Sequence, residues 1–417
     1  MTVQTADVVV IGAGMVGLSA AVAFAQQGLQ VVVLEQKTSQ LAQAMSQAKA
    51  QQDVGYDSRV SALTCASEQW LKSLGAWPLM QGLRIHPYTD MDVWDGEGSG
   101  HIHFSSRELH EPHLGHIVEN RVTVAALMEI AAGLKSLTWV AGVSVEAMSD
   151  VAADGIRQLT CSDGQLWQTA LVVAADGAMS GVRRMASIPM WEWDYGHHAI
   201  VTTVTTEKPH RNTAWQRFTD DGPLAFLPLS DPHSCSIVWS TSPDHARDLM
   251  SGDDQSFCDL LTRSFEQRLG QVQTTAGRSV FPLRQRHAKY YVKAALAVIG
   301  DAAHTIHPLA GQGVNLGLMD AAALVETVLQ ARDRGDQWSS EAVLLRYQRQ
   351  RQAANIQMSA GMEFFKQLFG HQQPLLKLIR NTGMNTLNKL SPIKQHIVMQ
   401  AMGLKGDLPA MAQRKSG

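Results

Sequence analysis

The chain opens on a β-branched run, Asp7 to Ile11 (DVVVI), in which apolar residues follow one another without alternation until Gly12-Ala13-Gly14 interrupts them. A short unbroken apolar run bounded by glycine predicts a strand buried on both faces, as in a parallel sheet. Gly14 to Gln27 predicts a helix stopped by Gly28, and Val31 to Leu34 a second buried strand ending at Glu35. No charge falls between Val8 and Leu34, but Gly12, Gly14, Gly17, Gly28 and three glutamines interrupt this stretch, and Asp7 rather than Lys or Arg precedes it. Neither a membrane span nor a signal sequence is therefore expected. The strand, turn and helix pattern recurs in Leu171–Arg184, with Asp176-Gly177 at the turn and a helix opening near Ser180. It recurs again in Leu296–Ala321, where a strand to Ile299 delivers Gly300 and Asp301 to a turn, followed by a glycine-rich loop and a long helix from about Gly313. Alternating patterns dominate residues 86–110 and 185–285, notably Asp92–Trp94, Ile200–Thr205, Leu224–Leu229 and Cys235–Ser240. The last two, separated by SDPHS, predict a hairpin, and these segments, inserted between the strand–turn–helix units, should form a sheet roofing them. After residue 363 the apolar residues Phe364, Leu368, Leu375, Leu376, Ile379, Met384 and Leu387 recur at helical spacing.

With 417 residues, 45% of them hydrophobic and 18% charged, the chain should fold as two or three domains around a sizeable core. A net charge of -3, from 35 basic and 38 acidic residues, argues against a nucleic-acid binder. One local exception changes the picture. Beyond residue 363, Lys366, Lys377, Arg380, Lys389, Lys394, Lys405, Arg414 and Lys415 face only Asp407. Such a basic amphipathic stretch reads as membrane-surface or partner-binding, or as a helix packed on the body with its basic face in water. The cysteines Cys65, Cys161, Cys235 and Cys258 form no C-x-x-C pair and read as reduced thiols of a cytosolic protein.

Gly12, Gly14 and Gly17 form G-x-G-x-x-G at the first turn. Gly12 permits the turn, Gly14 lets backbone N–H groups approach a pyrophosphate at the helix N-terminus, and Gly17 lets helix and strand pack closely. Glu35 stands where a carboxylate accepts hydrogen bonds from ribose hydroxyls and repels a 2′-phosphate, which selects FAD or NAD over NADP. Asp301 offers a carboxylate to a polyol, while Gly311 and Gly313 free backbone amides at another helix N-terminus. A nicotinamide has no ribityl chain to use this arrangement, so FAD is favoured. His304 and His307 stand at H-x-x-H with Asp301 nearby, but the surrounding glycines serve backbone approach, and no metal is expected. No second G-x-G-x-x-G between strand and helix follows residue 35, so a reductant should bind transiently.

On these residues the chain resembles the flavoprotein aromatic hydroxylases, from residue 5 to about residue 350. Within them it is similar to the ubiquinone-biosynthesis FAD-dependent hydroxylases, through YDSRVSAL (56–63), LGHIVEN (114–120), WDYGHHA (193–199), LAFLPLSDPHSCSIVWS (224–240) and GDAAHTIHPLAGQGVNLGLMDAA (300–322). The segment Trp193–Ser240 draws the resemblance toward the members that hydroxylate 2-polyprenylphenol to 2-polyprenyl-6-hydroxyphenol. Hydroxylation at a later ring position, hydroxylation of a small soluble aromatic, and a non-enzymatic FAD-binding scaffold stand as alternatives.

The resemblance implies an α/β fold: a Rossmann-like, para-hydroxybenzoate-hydroxylase-like FAD-binding domain (1–85, 111–184, 286–350), an inserted β-sheet substrate domain (86–110, 185–285) and C-terminal helices (351–417). It implies non-covalent FAD, NAD(P)H as transient reductant, and O2 as the source of the oxygen transferred to the phenol. Cofactor contacts are expected from Gly12, Ala13, Gly14, Gly17, Glu35, Arg59, Asn120, Asp176, Gly300, Asp301, Pro308, Gly311, Gln312, Gly313, Val314 and Asn315, with Arg183 on the motif shared with the reductant. His307 and Pro308 are candidates to polarise the phenol, and Trp215, Phe226 and Trp239 to wall its pocket. The implied partners are a polyprenylated phenol, other ubiquinone-biosynthesis proteins and, through the basic tail, the inner face of a membrane, with the protein otherwise cytoplasmic.

Overall fold

A computed structural model of the chain describes residues 3–37, 55–96, 98–305 and 313–370, with shorter pieces between 394 and 414. His307, Pro308, Gly311, Gln312 and the tail positions from Leu375 to Leu387 lie outside the described residues.

Strand β1 (Val3–Ile11) and strand β2 (Val31–Glu35) are parallel, joined by helix α1 (Met15–Gln26). Val8, Val9 and Val10 are wholly buried, as an unalternating run requires when both faces of a sheet are covered. Parallel neighbours extend the sheet: Leu137–Ala141 beyond β2, then Leu166–Ala174 and Leu296–Val298 on the other side of β1. Val292–Lys293 closes that edge antiparallel, and Arg157–Cys161 and Val145–Met148 attach to Leu166–Ala174. The register sets Ile11 beside both Leu34 and Ala174, and Ala174 beside Val298. The turns carrying Gly12, Asp176 and Gly300 therefore leave one edge of the sheet, at the carboxyl ends of its strands, where α/β sheets bind ligands.

A nine-stranded sheet runs His304–Thr305, Ser279–Ala288, Met190–Thr206, Ser234–Thr241, Gly222–Pro228, Thr213–Thr219, Asp90–Asp95 and His101–Ser105, with Val272–Thr275 also on Met190–Thr206. Gly222–Pro228 and Ser234–Thr241 pair antiparallel, with Leu224 opposite Trp239. A small third sheet, Val60–Leu63, Gly115–Glu119 and Ile85–Tyr88, lies against the large one through a cluster containing Ala62, Ile117, Ala214, Ala225 and Leu227.

The expectation that Trp215, Phe226 and Trp239 wall a substrate pocket is corrected by the packing. Side chains alternate across a strand, and the register places all three on the face that packs with Phe257, Leu261 and Phe265. Phe226 and Trp239 are buried core, Phe226 stacking on Phe265 with centroids 3.8 Å apart, and Trp215 donates its Nε1 hydrogen to the His210 carbonyl at 3.3 Å. The opposite face carries smaller residues, Ala214, Ala225 and Val238.

The helix Glu341–Gly370 crosses residue 351 unbroken. In the tail, Lys394 is buried and meets Glu108 at 2.6 Å, Arg414 meets Glu111 at 2.7 Å, and Met402 enters the cluster around Cys65 and Leu114.

Candidate functional site

A cleft of about 540 Å³ opens at the carboxyl edge of the parallel sheet, lined among others by Gly12, Gly14, Glu35, Ser144, Asp176 and Gly181. Gly12 has φ +103°, and a Cβ there would lie 2.4 Å from the Ala175 carbonyl oxygen, so the turn excludes any side chain. At Gly17 a Cβ would meet the Gly12 carbonyl oxygen at 2.1 Å. Gly14 differs. It is the N-cap residue of α1, caps no backbone amide with a side chain, and has nothing within 4 Å of an added Cβ. The first amides of α1 are thus offered to the cleft with the positive end of the helix dipole, the donor set a pyrophosphate needs.

Glu35 ends β2 with one oxygen accepting from the Ala13 amide at 2.7 Å and the other from the Lys37 amide at 2.9 Å. Each carboxylate oxygen retains acceptor capacity, and the group borders the cleft. Asp176 Oδ2 accepts from the amides of Gly181 and Val182 at 2.8 and 3.2 Å, holding the start of the helix Gly181–Met185. Its Oδ1 is buried and unpartnered, as expected of an acceptor awaiting a ligand donor.

Of residues 300–304 only Asp301 is exposed. It nevertheless sits deep enough among protein atoms that desolvation raises its pKa above the usual carboxylate range, against the lowering pull of His304, Arg59 and Arg286. Arg59 is exposed, and its carbonyl accepts from the Asn120 amide at 3.0 Å. The Asn120 side chain accepts from Ser61 Oγ at 2.7 Å. Arg121, the next residue, donates to the Gly55 carbonyl at 2.8 Å and pairs with buried Glu119 at 2.5 Å. Asn315 holds helix Gly313–Asp333 to the third sheet: it accepts from Ser67 Oγ at 2.7 Å and the Thr64 amide at 3.0 Å, and donates to the Ala62 carbonyl at 2.8 Å. Arg183 is buried and donates to the carbonyls of Ala302 and Ala178 at 2.8 and 3.1 Å, so its guanidinium braces the Gly300 turn from behind. Val314, at the start of the same helix, packs against the main core.

Glycine turn, uncapped helix start, free acceptor and exposed carboxylate share the edge from which all three turns emerge, and these residues fit an extended dinucleotide such as FAD.

A buried network behind this edge escaped the sequence reading. Asp320 Oδ2 contacts His304 Nε2 at 2.5 Å and accepts from the Gly300 amide at 3.2 Å, while Oδ1 accepts from Arg351 Nε at 2.9 Å and Asn355 Nδ2 at 3.1 Å. Its signal was a single acid inside the apolar run Leu316–Val325. Among the described residues Cys65, Glu68 and His113 bring three ligand-type atoms together, yet Glu68 is already bonded by Lys72 and His113 at 2.6 and 2.8 Å, and burial pushes the Cys65 thiol up to about 12. These side chains form a satisfied structural cluster.

The FAD binding domain family matches residues 145–360, and a second family, FAD dependent oxidoreductase, matches residues 7–52. Over 97% of its length the chain is 39% identical to the whole of an Escherichia coli (strain K12) protein named 3-demethoxyubiquinol 3-hydroxylase. It is 34% identical to the ubiquinone hydroxylase UbiL of Rhodospirillum rubrum, covering 96% of this chain and 90% of that one. It is 32% identical to the human ubiquinone biosynthesis monooxygenase COQ6, covering 94% and 91%. Among solved structures, p-nitrophenol 4-monooxygenase from Pseudomonas putida superposes with a TM-score of 0.77 at 19% identity, covering 97% of this chain and 99% of that one, and so shares the fold. The chain belongs to the FAD-dependent hydroxylases of ubiquinone biosynthesis.

Proposed function

We propose that the protein hydroxylates the ring of a polyprenylated ubiquinone precursor at a position later than the first, in the manner of a 3-demethoxyubiquinol hydroxylase. The observation that carries this reading is the 39% identity to the Escherichia coli protein of that name over essentially both whole chains. The 2-polyprenylphenol reading drew on the resemblance of the segment Trp193–Ser240, against an identity that extends over 97% of the chain.

Bound FAD, reduced by NAD(P)H, supplies the oxygen chemistry. The chain supplies grip and placement. The amides at the start of α1 hold the pyrophosphate beside Gly14, Glu35 and the free oxygen of Asp176 take adenosine-side hydroxyls, Asp301 takes the ribityl chain, and Arg59 places positive charge on the flavin side. Because the substrate carries a polyprenyl tail, the protein meets it at the cytoplasmic face of a membrane or on a lipid-carrying partner, with basic residues after 363 as the contact, other than Lys394 and Arg414, which pair with Glu108 and Glu111.

The test is the quinone intermediate that accumulates when the gene is deleted, together with turnover of the purified enzyme under 18O2. Accumulation of a demethoxy-quinone and its conversion with one labelled oxygen is the expected result. Accumulation of 2-polyprenylphenol would restore the first-position reading, and label entering from water would overturn the oxygen chemistry.

A further inference from the structure

Asp320, Arg351 and Asn355 touch nothing in the cleft, yet all three are buried, Asp320 and Asn355 completely. A fully buried carboxylate with four donors is an expensive arrangement, and an apolar substitute of the same shape would serve packing as well or better. What distinguishes this one is where its bonds go.

Asp320 lies one helical turn beyond Gly317. A Cβ at Gly317 would strike Val16 of α1 at 2.7 Å and the Gly300 Cα at 3.0 Å, so helix Gly313–Asp333, the pyrophosphate-facing helix and the Gly300 turn converge there. Gly300 takes φ +59°, and its amide is fixed by Asp320 while Arg183 holds the Ala302 carbonyl. The turn is clamped on both flanks, and Asp301 alone is thrust outward. His304, the next polar group after Asp301, is bound to the same Asp320 carboxylate. Arg351 faces Asp320 from helix Glu341–Gly370 and is itself bonded to Asn355 at 3.0 Å.

The geometry points to Asp320 and Arg351 as positioning residues for the flavin end of the cofactor: a buried charge pair that fixes the Gly300–Asp301 turn and sets the field in which the bound flavin is reduced. The proposal rests on reading Asp301 as a ribityl contact. Because the pair is buried in a medium of low dielectric, removing either charge leaves the other poorly screened. Loss of the negative member favours the electron-rich reduced flavin, and loss of the positive member disfavours it.

The experiment measures the reduction potential of bound FAD and its dissociation constant in Asp320→Asn, Arg351→Met and the double variant, with the thermal midpoint of each apoprotein alongside. Asp320→Asn should raise the potential, Arg351→Met should lower it, and the double variant should return toward the parent. Both single variants should weaken FAD at least tenfold. A merely structural role moves both potentials the same way or neither, and any pattern other than opposed shifts overturns the proposal. If Asp320→Asn does not fold, Arg351→Met decides alone, and a potential that rises or stays put refutes it. Asp301→Asn tests the underlying reading separately: unchanged FAD affinity there removes the turn from the cofactor site. A normal Asp301→Asn response with unmoved Asp320 and Arg351 variants overturns only this proposal.

Discussion

The Glu35 carboxylate accepts a hydrogen bond from the backbone N–H of Ala13 at 2.7 Å, tying the end of β2 to the middle of the glycine turn that leaves β1. One acid thereby fixes the turn's shape and still presents acceptor capacity to the cleft. The same economy separates the three glycines, because two are demanded by the fold and one by the ligand.

Gly14→Val should give stable, colourless protein. Nothing lies within 4 Å of a Cβ at Gly14, so the apoprotein tolerates the side chain, which then projects into the pyrophosphate's space. Gly17→Ala should instead destabilise the apoprotein by about 1–3 kcal/mol or more, because its Cβ meets the Gly12 carbonyl oxygen at 2.1 Å. FAD released by heat and the thermal midpoint of each apoprotein separate the two effects. Normal FAD content in the Gly14 variant would remove the pyrophosphate assignment.

Asp301→Ala should weaken FAD by roughly ten- to a hundredfold, the equivalent of one hydrogen bond to a charged group at about 1.5–3 kcal/mol. Burial raises its pKa in the folded chain, so its charge does not stabilise the apoprotein, whose thermal midpoint should not fall. Titration of apoprotein with FAD checks this, and an unchanged dissociation constant contradicts the ribityl role.

The nucleotide edge was legible because glycine and acid positions at strand ends report backbone demands that are local in sequence. Gly12 at φ +103° and Ser180 accepting from the Arg183 amide at 2.9 Å are decided within a few residues. The pocket walls were not legible, because which face of an alternating strand meets the ligand depends on what covers the other face. Helices Pro243–Ser251 and Asp254–Ser264 cover the face of Trp215, Phe226 and Trp239, and nothing in a period of two announces this. The Asp320 network was hidden for a similar reason, since its partners His304 and Arg351 lie sixteen and thirty-one residues away. Arg183 reads as a candidate cofactor contact from its motif, while its bonds go to backbone carbonyls within the protein.

Truncation after Gly370 should lower the thermal midpoint, because the described pieces of the tail pack on the body. Lys394 pairs with Glu108 and donates to the His103 carbonyl at 3.1 Å, and removing Met402 uncovers the cluster around Leu114 and Ile117. A buried apolar side chain of that size stabilises by about 2–3 kcal/mol. The basic tail is better tested in the full-length chain by replacing Lys377, Arg380 and Lys389 with glutamine. Each cation near an anionic bilayer contributes about 1 kcal/mol, so binding to anionic vesicles at low salt should fall by roughly a hundredfold. Equal binding by the substituted protein would leave the tail a packing role alone.

Stability should decline steadily between pH 6.5 and 4. Burial holds the His116 imidazole down to about 4, helped by neighbouring His113, and burial with His304 nearby does the same for His287. In the unfolded chain both titrate near 6.5, so between these values the unfolded state binds protons that the native state refuses, and stability falls with pH across that window. At about 1.4 kcal/mol per pKa unit, each histidine contributes on the order of 3 kcal/mol to the decline. Below pH 4 the histidine contribution levels off and carboxylates take over. Glu68 is held down to about 2 by its bonds to His113 and Lys72 despite burial, and Asp320 to about 2 by His304 and Arg351 despite burial; their stabilisation is lost as pH falls from about 4 toward 2. His116→Leu removes one titrating group from a site walled by Trp77 and His113. Its thermal midpoint should fall less steeply than the parent's between pH 6.5 and 4, and run parallel to it between pH 7 and 8. Identical slopes in the acid window would show that His116 is protonated in the native state.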